Sequence, residues 1–152
     1  MKDNIVDLQI ACKHNTDIPN LSTFQKWIKT IFIYFGIKHQ VTIRLVNNNE
    51  SCRLNLKYRG KDYPTNILSF PFERPPWIKS YLLGDLVICF PVITKEAIEQ
   101  KKSIEFHLAH IVVHGILHLL GYSHNNINKA NTMESIEIEI MSLIGYPNPY
   151  VY

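Results

Sequence analysis

Residues 104–124 read IEFHLAHIVVHGILHLLGYSH, an apolar stretch that predicts a helix from Ile104 to Leu120 with Gly121 as its stop. Residues four apart on a helix differ by about 40° in azimuth and one turn in height, so His114 and His118 can aim two imidazoles at one ion. A glycine just beyond can adopt the left-handed conformation that ends a helix, letting the chain turn back so that His124 supplies a third nitrogen. Three nitrogen ligands leave a fourth position for water, the arrangement of a catalytic zinc rather than of a filled structural site. No thiolate lies within the motif, which weakens the soft-metal alternatives. A lone H-x-x-x-H pair is common by chance, and the glycine with the third histidine is what adds specificity, at the spacing of H-E-x-x-H-x-x-G-x-x-H enzymes. The expectation is one Zn2+ per chain on His114, His118 and His124. His107 and His110 fall on the same face and read as buried hydrogen-bonding groups, since a fourth protein ligand would fill the open position.

Outward from this helix the pattern is mixed. Asn4 to Ile10 alternates as a half-buried strand, and Leu21, Phe24, Ile28, Ile31 and Phe35 recur at helical spacing behind Pro19-Asn20, with Gly36 as the stop. Gln40 to Val46 alternates again. The asparagines at 47–49 offer turn and N-cap chemistry for a short helix through Tyr58, closed by Gly60. Ile67 to Phe72 and Leu82 to Cys89 read as two strands joined by a loop that Pro75 and Pro76 constrain. Further helices are predicted from Thr94 to Lys101 and from Asn131 to Ile144, the second with Met133, Ile136, Ile140 and Ile144 on one stripe. The Asn125-Asn126 doublet reads as a turn. Four strands and five helices without a dividing linker point to one domain.

Composition agrees. At 152 residues, with 46% hydrophobic and 19% charged residues, the chain can bury a single core without covalent help. A net charge of +3 permits a polyanionic partner but falls short of a strongly basic nucleic-acid binder. Cys12, Cys52 and Cys89 are odd in number and widely spaced, so they read as reduced, partly buried thiols. With no long apolar segment and acidic residues at Asp3 and Asp7, neither a leader nor a membrane span is expected, and the location inferred is cytoplasmic.

Zinc peptidases carry a glutamate after the first histidine to activate the metal-bound water, whereas Gly115 stands there in this chain, which disfavours a peptidase. The remaining chemistry is sought in residues 54–70, LNLKYRGKDYPTNILSF, where Lys57, Arg59 and Lys61 form a positive patch beside Gly60. Basic residues closing a helix also complement its dipole with no ligand involved.

Taken together, L-N-x-x-Y-R-G-K-D-x-P-T-N-x-L-S-F and H-G-x-L-H-L-L-G-Y-x-H resemble the YbeY family of bacterial metal-dependent endoribonucleases that act in ribosomal RNA maturation. The likeness runs on through Gly84 to Cys89, Ala109 to Gly115, Met133 to Met141, and Gly145-Tyr146 with Pro149-Tyr150, roughly residues 40 to 150. It implies a single α/β (α+β) domain, residues 1–152, with a short mixed four-stranded sheet packed by about five helices. It also implies zinc on the three histidines and single-stranded RNA as substrate, with the 3′ end of 16S rRNA, ribosome quality control and the small subunit with its assembly factors as the setting. DNA and membranes are not expected. By the same resemblance Arg59 corresponds to a catalytically important arginine, and His114 to a ligand also needed for activity. One departure is Ser123, where relatives commonly have aspartate; serine accepts a hydrogen bond but brings no charge.

The reaction expected is metal-assisted phosphodiester cleavage, with Arg59 neutralising charge on the phosphorus centre. Attack by the ribose 2′-hydroxyl and attack by water both fit the residues. Tyr58, Phe70, Phe72 and Trp77 are available for stacking on bases, although burial is the commoner fate of aromatics. Two other readings stay open: a hydrolase of another bond such as a peptide, and a non-catalytic assembly factor in which zinc holds the C-terminal helices together.

Overall fold

The computed structural model of the chain describes residues 5–78 and 80–151. The elements run β1 (Val6–Ala11), α1 (Leu21–Phe35), β2 (Gln40–Val46), α2 (Asn48–Arg59), β3 (Ile67–Pro71), β4 (Leu82–Cys89), α3 (Phe90–Glu99), α4 (Ile104–Leu119) and α5 (Ile127–Ile144). The strands form one mixed sheet in the order β1-β2-β4-β3, in which β1, β2 and β4 are parallel and β3 pairs antiparallel with β4. Parallel neighbours need a crossover, which α1 provides between β1 and β2. The short return from β3 to β4 needs only the proline-bearing loop.

Two predicted boundaries move by several residues. Helix α3 begins at Phe90, directly after β4, because Pro91 occupies its first turn, where the missing N–H costs nothing. Helix α5 begins at Ile127, because the Asn126 side chain caps it by accepting from the Lys129 N–H. Of the first predicted strand, Asn4 lies outside the described residues.

Helix α4 is the centre of the molecule. Leu108, Ala109, Val112, Val113, Ile116 and Leu117 have no exposed surface, and they pack with Ile43, Leu45, Leu86 and Ile88 of the sheet and with Phe24, Ile28 and Ile31 of α1. A helix apolar on nearly every side is a buried one. Its seat on the sheet is close: a Cβ added at Gly115 would stand 2.5 Å from Ile67 Cδ1 and 2.9 Å from Leu86 Cδ2. One added at Gly84 would meet Leu119 Cδ2 at 2.8 Å. The opposite face of the sheet carries a smaller cluster, Val46, Leu68, Val87 and Cys89, roofed by Leu54 of α2. The two helices that bear the predicted functional residues therefore approach the β3 edge from opposite faces. No helix among the described residues is long and apolar enough to cross a membrane.

Candidate metal centre

Helix α4 ends as the glycine predicts. Gly121 adopts φ 97°, its N–H donates to the His118 carbonyl at 3.0 Å, and the Tyr122 N–H reaches back to the Leu117 carbonyl at 3.0 Å. This paired closure satisfies carbonyls left open at the helix end and turns the chain sharply. His124 is thereby brought beside the last two turns of α4. Its ring centroid lies 5.7 Å from that of His114 and 5.1 Å from that of His118, and one nitrogen from each of the three rings lies within 4.8 Å of the others.

The ring nitrogens test whether this set fits a cation. His114 Nε2 and His118 Nε2 face each other across 3.0 Å, while His114 Nδ1 lies 3.1 Å from a Glu137 carboxylate oxygen. A proton on His114 Nδ1, the nitrogen that faces Glu137, leaves a neutral ring its lone pair on Nε2. Two nitrogens of a tetrahedral zinc with bonds of about 2.0–2.1 Å would be about 3.3 Å apart, close to the separation of this pair. Burial pushes the pKa of His118 down to about 4, helped by the charges of His114, His124 and Arg59 and opposed by a hydrogen bond to the Tyr122 backbone. A ring that stays neutral at physiological pH is the form that binds a metal. Geometry and protonation state both suit a divalent ion with a preference for nitrogen.

Arg59 closes α2, exposed, with Gly60 at φ 68°. Its charge is the smallest of those acting on His118, which puts the end of α2 within electrostatic range of the triad. Buried polar side chains fix this approach. Asn55, 1% exposed, donates to the Tyr63 carbonyl at 2.8 Å, and the Ser51 hydroxyl both donates to the Thr65 carbonyl and accepts from the Thr65 N–H at 3.0 Å. Residues 61–66 are thus folded back along α2, which explains the dense polar spelling of that segment. Asn66 continues the tie by donating to Glu96, which also receives His107 Nε2 at 2.9 Å.

Several aromatics expected in the core are not there. Tyr58 is 56% exposed, Phe72 42% and Trp77 82%, and only Phe70 is half-buried, meeting Tyr58 edge-on at 5.1 Å. Lys57 lies over the Tyr58 ring at 5.2 Å, so the basic patch and the aromatic surface are continuous. Sequence reasoning passed over Glu137. It belongs to α5, is 1% exposed, and accepts from His114, from His110 and from the Tyr150 hydroxyl. Burial alone would raise its pKa, but the hydrogen bonds from His110 and His114 outweigh this and hold it at about 2. A glutamate inside the apolar stripe of α5, at a position in phase with Met133 and Ile140, was the available signal. His107 and His110 are buried or nearly so and pair with Glu96 and Glu137, one carboxylate each.

Residues 9–145 match the family model described as "Endoribonuclease YbeY", a longer span than the quoted motifs alone cover. Among solved structures, the chain is similar to the solution structure of TM1509 from Thermotoga maritima, with 24% identity and a TM-score of 0.57 over 96% of this chain and 100% of that one. At that identity the likeness speaks for the fold.

Proposed function

Because the chain belongs to the YbeY endoribonuclease family, we propose that its residues 1–152 act as one metal-dependent endoribonuclease domain that cuts single-stranded RNA during ribosomal RNA maturation. One Zn2+ is held by His114, His118 and His124, and Arg59 is the catalytic cation. The setting is the cytoplasm, with the 3′ end of 16S rRNA as target, the small ribosomal subunit and its assembly factors as partners, and ribosome quality control as the wider role. The observation that carries this reading is the pair of facing Nε2 atoms of His114 and His118, 3.0 Å apart, with the charge of Arg59 acting on His118.

When bound, the ion supplies Lewis acidity toward a phosphate oxygen and lowers the pKa of a water. The rest is the work of side chains. Arg59 sits at an exposed helix end, where its fork of donors can take two phosphate oxygens and neutralise the charge that grows on them during cleavage. His118 stays neutral through burial, and Glu137 faces Nδ1 of His114, the nitrogen turned away from the other two rings. The exposed rings of Tyr58, Phe72 and Trp77 supply faces on which unpaired bases stack, which a duplex cannot offer. A peptidase reading finds no support in the glycine after His114, which points into the sheet and leaves no room for an acid.

The test is direct. Purified protein should carry about one zinc per chain and His118→Ala none, as three protein ligands imply. Metal-loaded protein should cut single-stranded RNA and leave duplex RNA and casein intact. Full zinc occupancy in His118→Ala would remove the ligand assignment, and zinc-loaded protein that cuts no RNA would favour the assembly-factor reading.

A further inference from the structure

Three donors from two parts of the chain converge on the carboxylate of Glu137. His114 Nδ1 lies 3.1 Å from Oε1, the Tyr150 hydroxyl donates to Oε2 at 2.8 Å, and His110 Nε2 meets that same Oε2. The side chain is 1% exposed, so it cannot turn away to solvent. A carboxylate so placed would be costly without partners, and here α4 supplies two and the segment after α5 a third.

A neutral imidazole carries its single proton on either nitrogen, and only the bare one can bind a metal. With no acceptor beside Nδ1, nothing would keep the proton of His114 off Nε2, the atom that faces His118. We propose that Glu137 is the positioning residue of the metal centre: it holds the proton of His114 on Nδ1, so that the Nε2 lone pair is presented beside His118 and His124 to a divalent cation. His110 and Tyr150 hold the carboxylate in place for this task. A negative partner on Nδ1 also makes Nε2 a stronger donor. Tyr150, beyond the break at Gly145, thereby makes the end of the chain a brace for the centre. The inference rests on reading the triad as a metal site, and it adds a residue that touches no metal.

The experiment uses the full chain as wild type, Glu137→Gln and Tyr150→Phe, with 15N-labelled histidines. In metal-free wild type at neutral pH, the imidazole nitrogen shifts should show His114 protonated on Nδ1. Competition with a chromophoric chelator should show zinc bound about 10–100-fold more weakly by Glu137→Gln, with a smaller loss for Tyr150→Phe. Thermal unfolding recorded in parallel separates this from a purely structural role, which would lower the melting temperature and leave the affinity of the folded protein unchanged. Should Glu137→Gln not fold, the wild-type spectrum and the Tyr150→Phe affinity carry the test. A wild-type His114 protonated on Nε2, or a folded Glu137→Gln with wild-type zinc affinity, overturns the proposal. Wild type that shows the Nδ1 proton yet binds no zinc would uphold the role of Glu137 in fixing the tautomer and refute the metal-dependent function instead.

Discussion

Gly115 packs against Ile67 so closely that a Cβ built on it would stand 2.5 Å from Ile67 Cδ1. One residue further along a helix is a rotation of about 100°, so position 115 faces the sheet while His114 faces the site. Installing the glutamate of zinc peptidases here should therefore damage the fold and create no peptidase. Overpacking costs about 1–3 kcal/mol, and an unpaired buried carboxylate adds more. Gly115→Glu should melt well below wild type and leave casein uncut. Alanine should cost less, because its better helix propensity returns about 1 kcal/mol. Thermal unfolding of the two variants decides this, and a Gly115→Glu protein as stable as wild type would show that the helix has room to move.

Arg44 of β2 ties down the start of α2, the helix that ends at Arg59. Its Nε donates to one Glu50 oxygen at 2.7 Å and its NH2 group to the other at 3.0 Å. Those hydrogen bonds, more than the opposing effect of burial, keep the Glu50 pKa below its ordinary value. A carboxyl with a depressed folded-state pKa contributes stability that is complete above its unfolded pKa and is lost as pH falls through the folded value. Wild type should thus lose this contribution below about pH 4.5, the reference value for Glu50. Glu50→Gln should lack it at neutral pH, by up to about 1 kcal/mol for a pair that is partly exposed. Urea melts of both proteins across that range check the sign: the two curves should converge in acid.

Ser123 stands in the turn between His118 and His124, half-buried and next to a shallow cleft that Lys129 helps to line. Ser123→Asp should leave the fold intact and tighten zinc binding by up to about tenfold, through a carboxylate able to orient the turn. Chelator competition measures this, and equal affinities would remove position 123 from the centre.

The sequence showed the elements well where periodicity and capping agreed. Leu21–Phe35 and Gln40–Val46 were legible residue for residue, because a glycine or an asparagine marks a boundary of each. Helices α3 and α5 began early because Pro91 and Asn126 are as much helix starters as chain breakers, and only tertiary packing says which. The spacing from His114 to His124 exposed the triad because one helix and its stop supply all three side chains. Glu137 stayed hidden because its partners come from another helix and from Tyr150, and no local pattern records a contact between helices. The exposed aromatics were misjudged for a related reason: Tyr58 and Trp77 look like core residues until α2 and the loop before β4 are placed at the surface.

The central claim is that the histidine centre and Arg59 act together on RNA, Arg59 through transition-state charge and without a part in metal binding. The deciding measurement is steady-state cleavage of a single-stranded RNA by wild type, Arg59→Ala and Arg59→Lys, with zinc content and melting temperature recorded on the same samples. Arg59→Ala should keep its zinc and its fold and lose about 10²–10³ in kcat, as the removal of one such donor does. Arg59→Lys should recover little, because an ammonium keeps the charge but not the fork. An alanine variant with full kcat and only a raised KM would reduce Arg59 to a residue that holds RNA. A loss of zinc or of folding in Arg59→Ala would contradict the account, since the arginine would then be a structural part of α2.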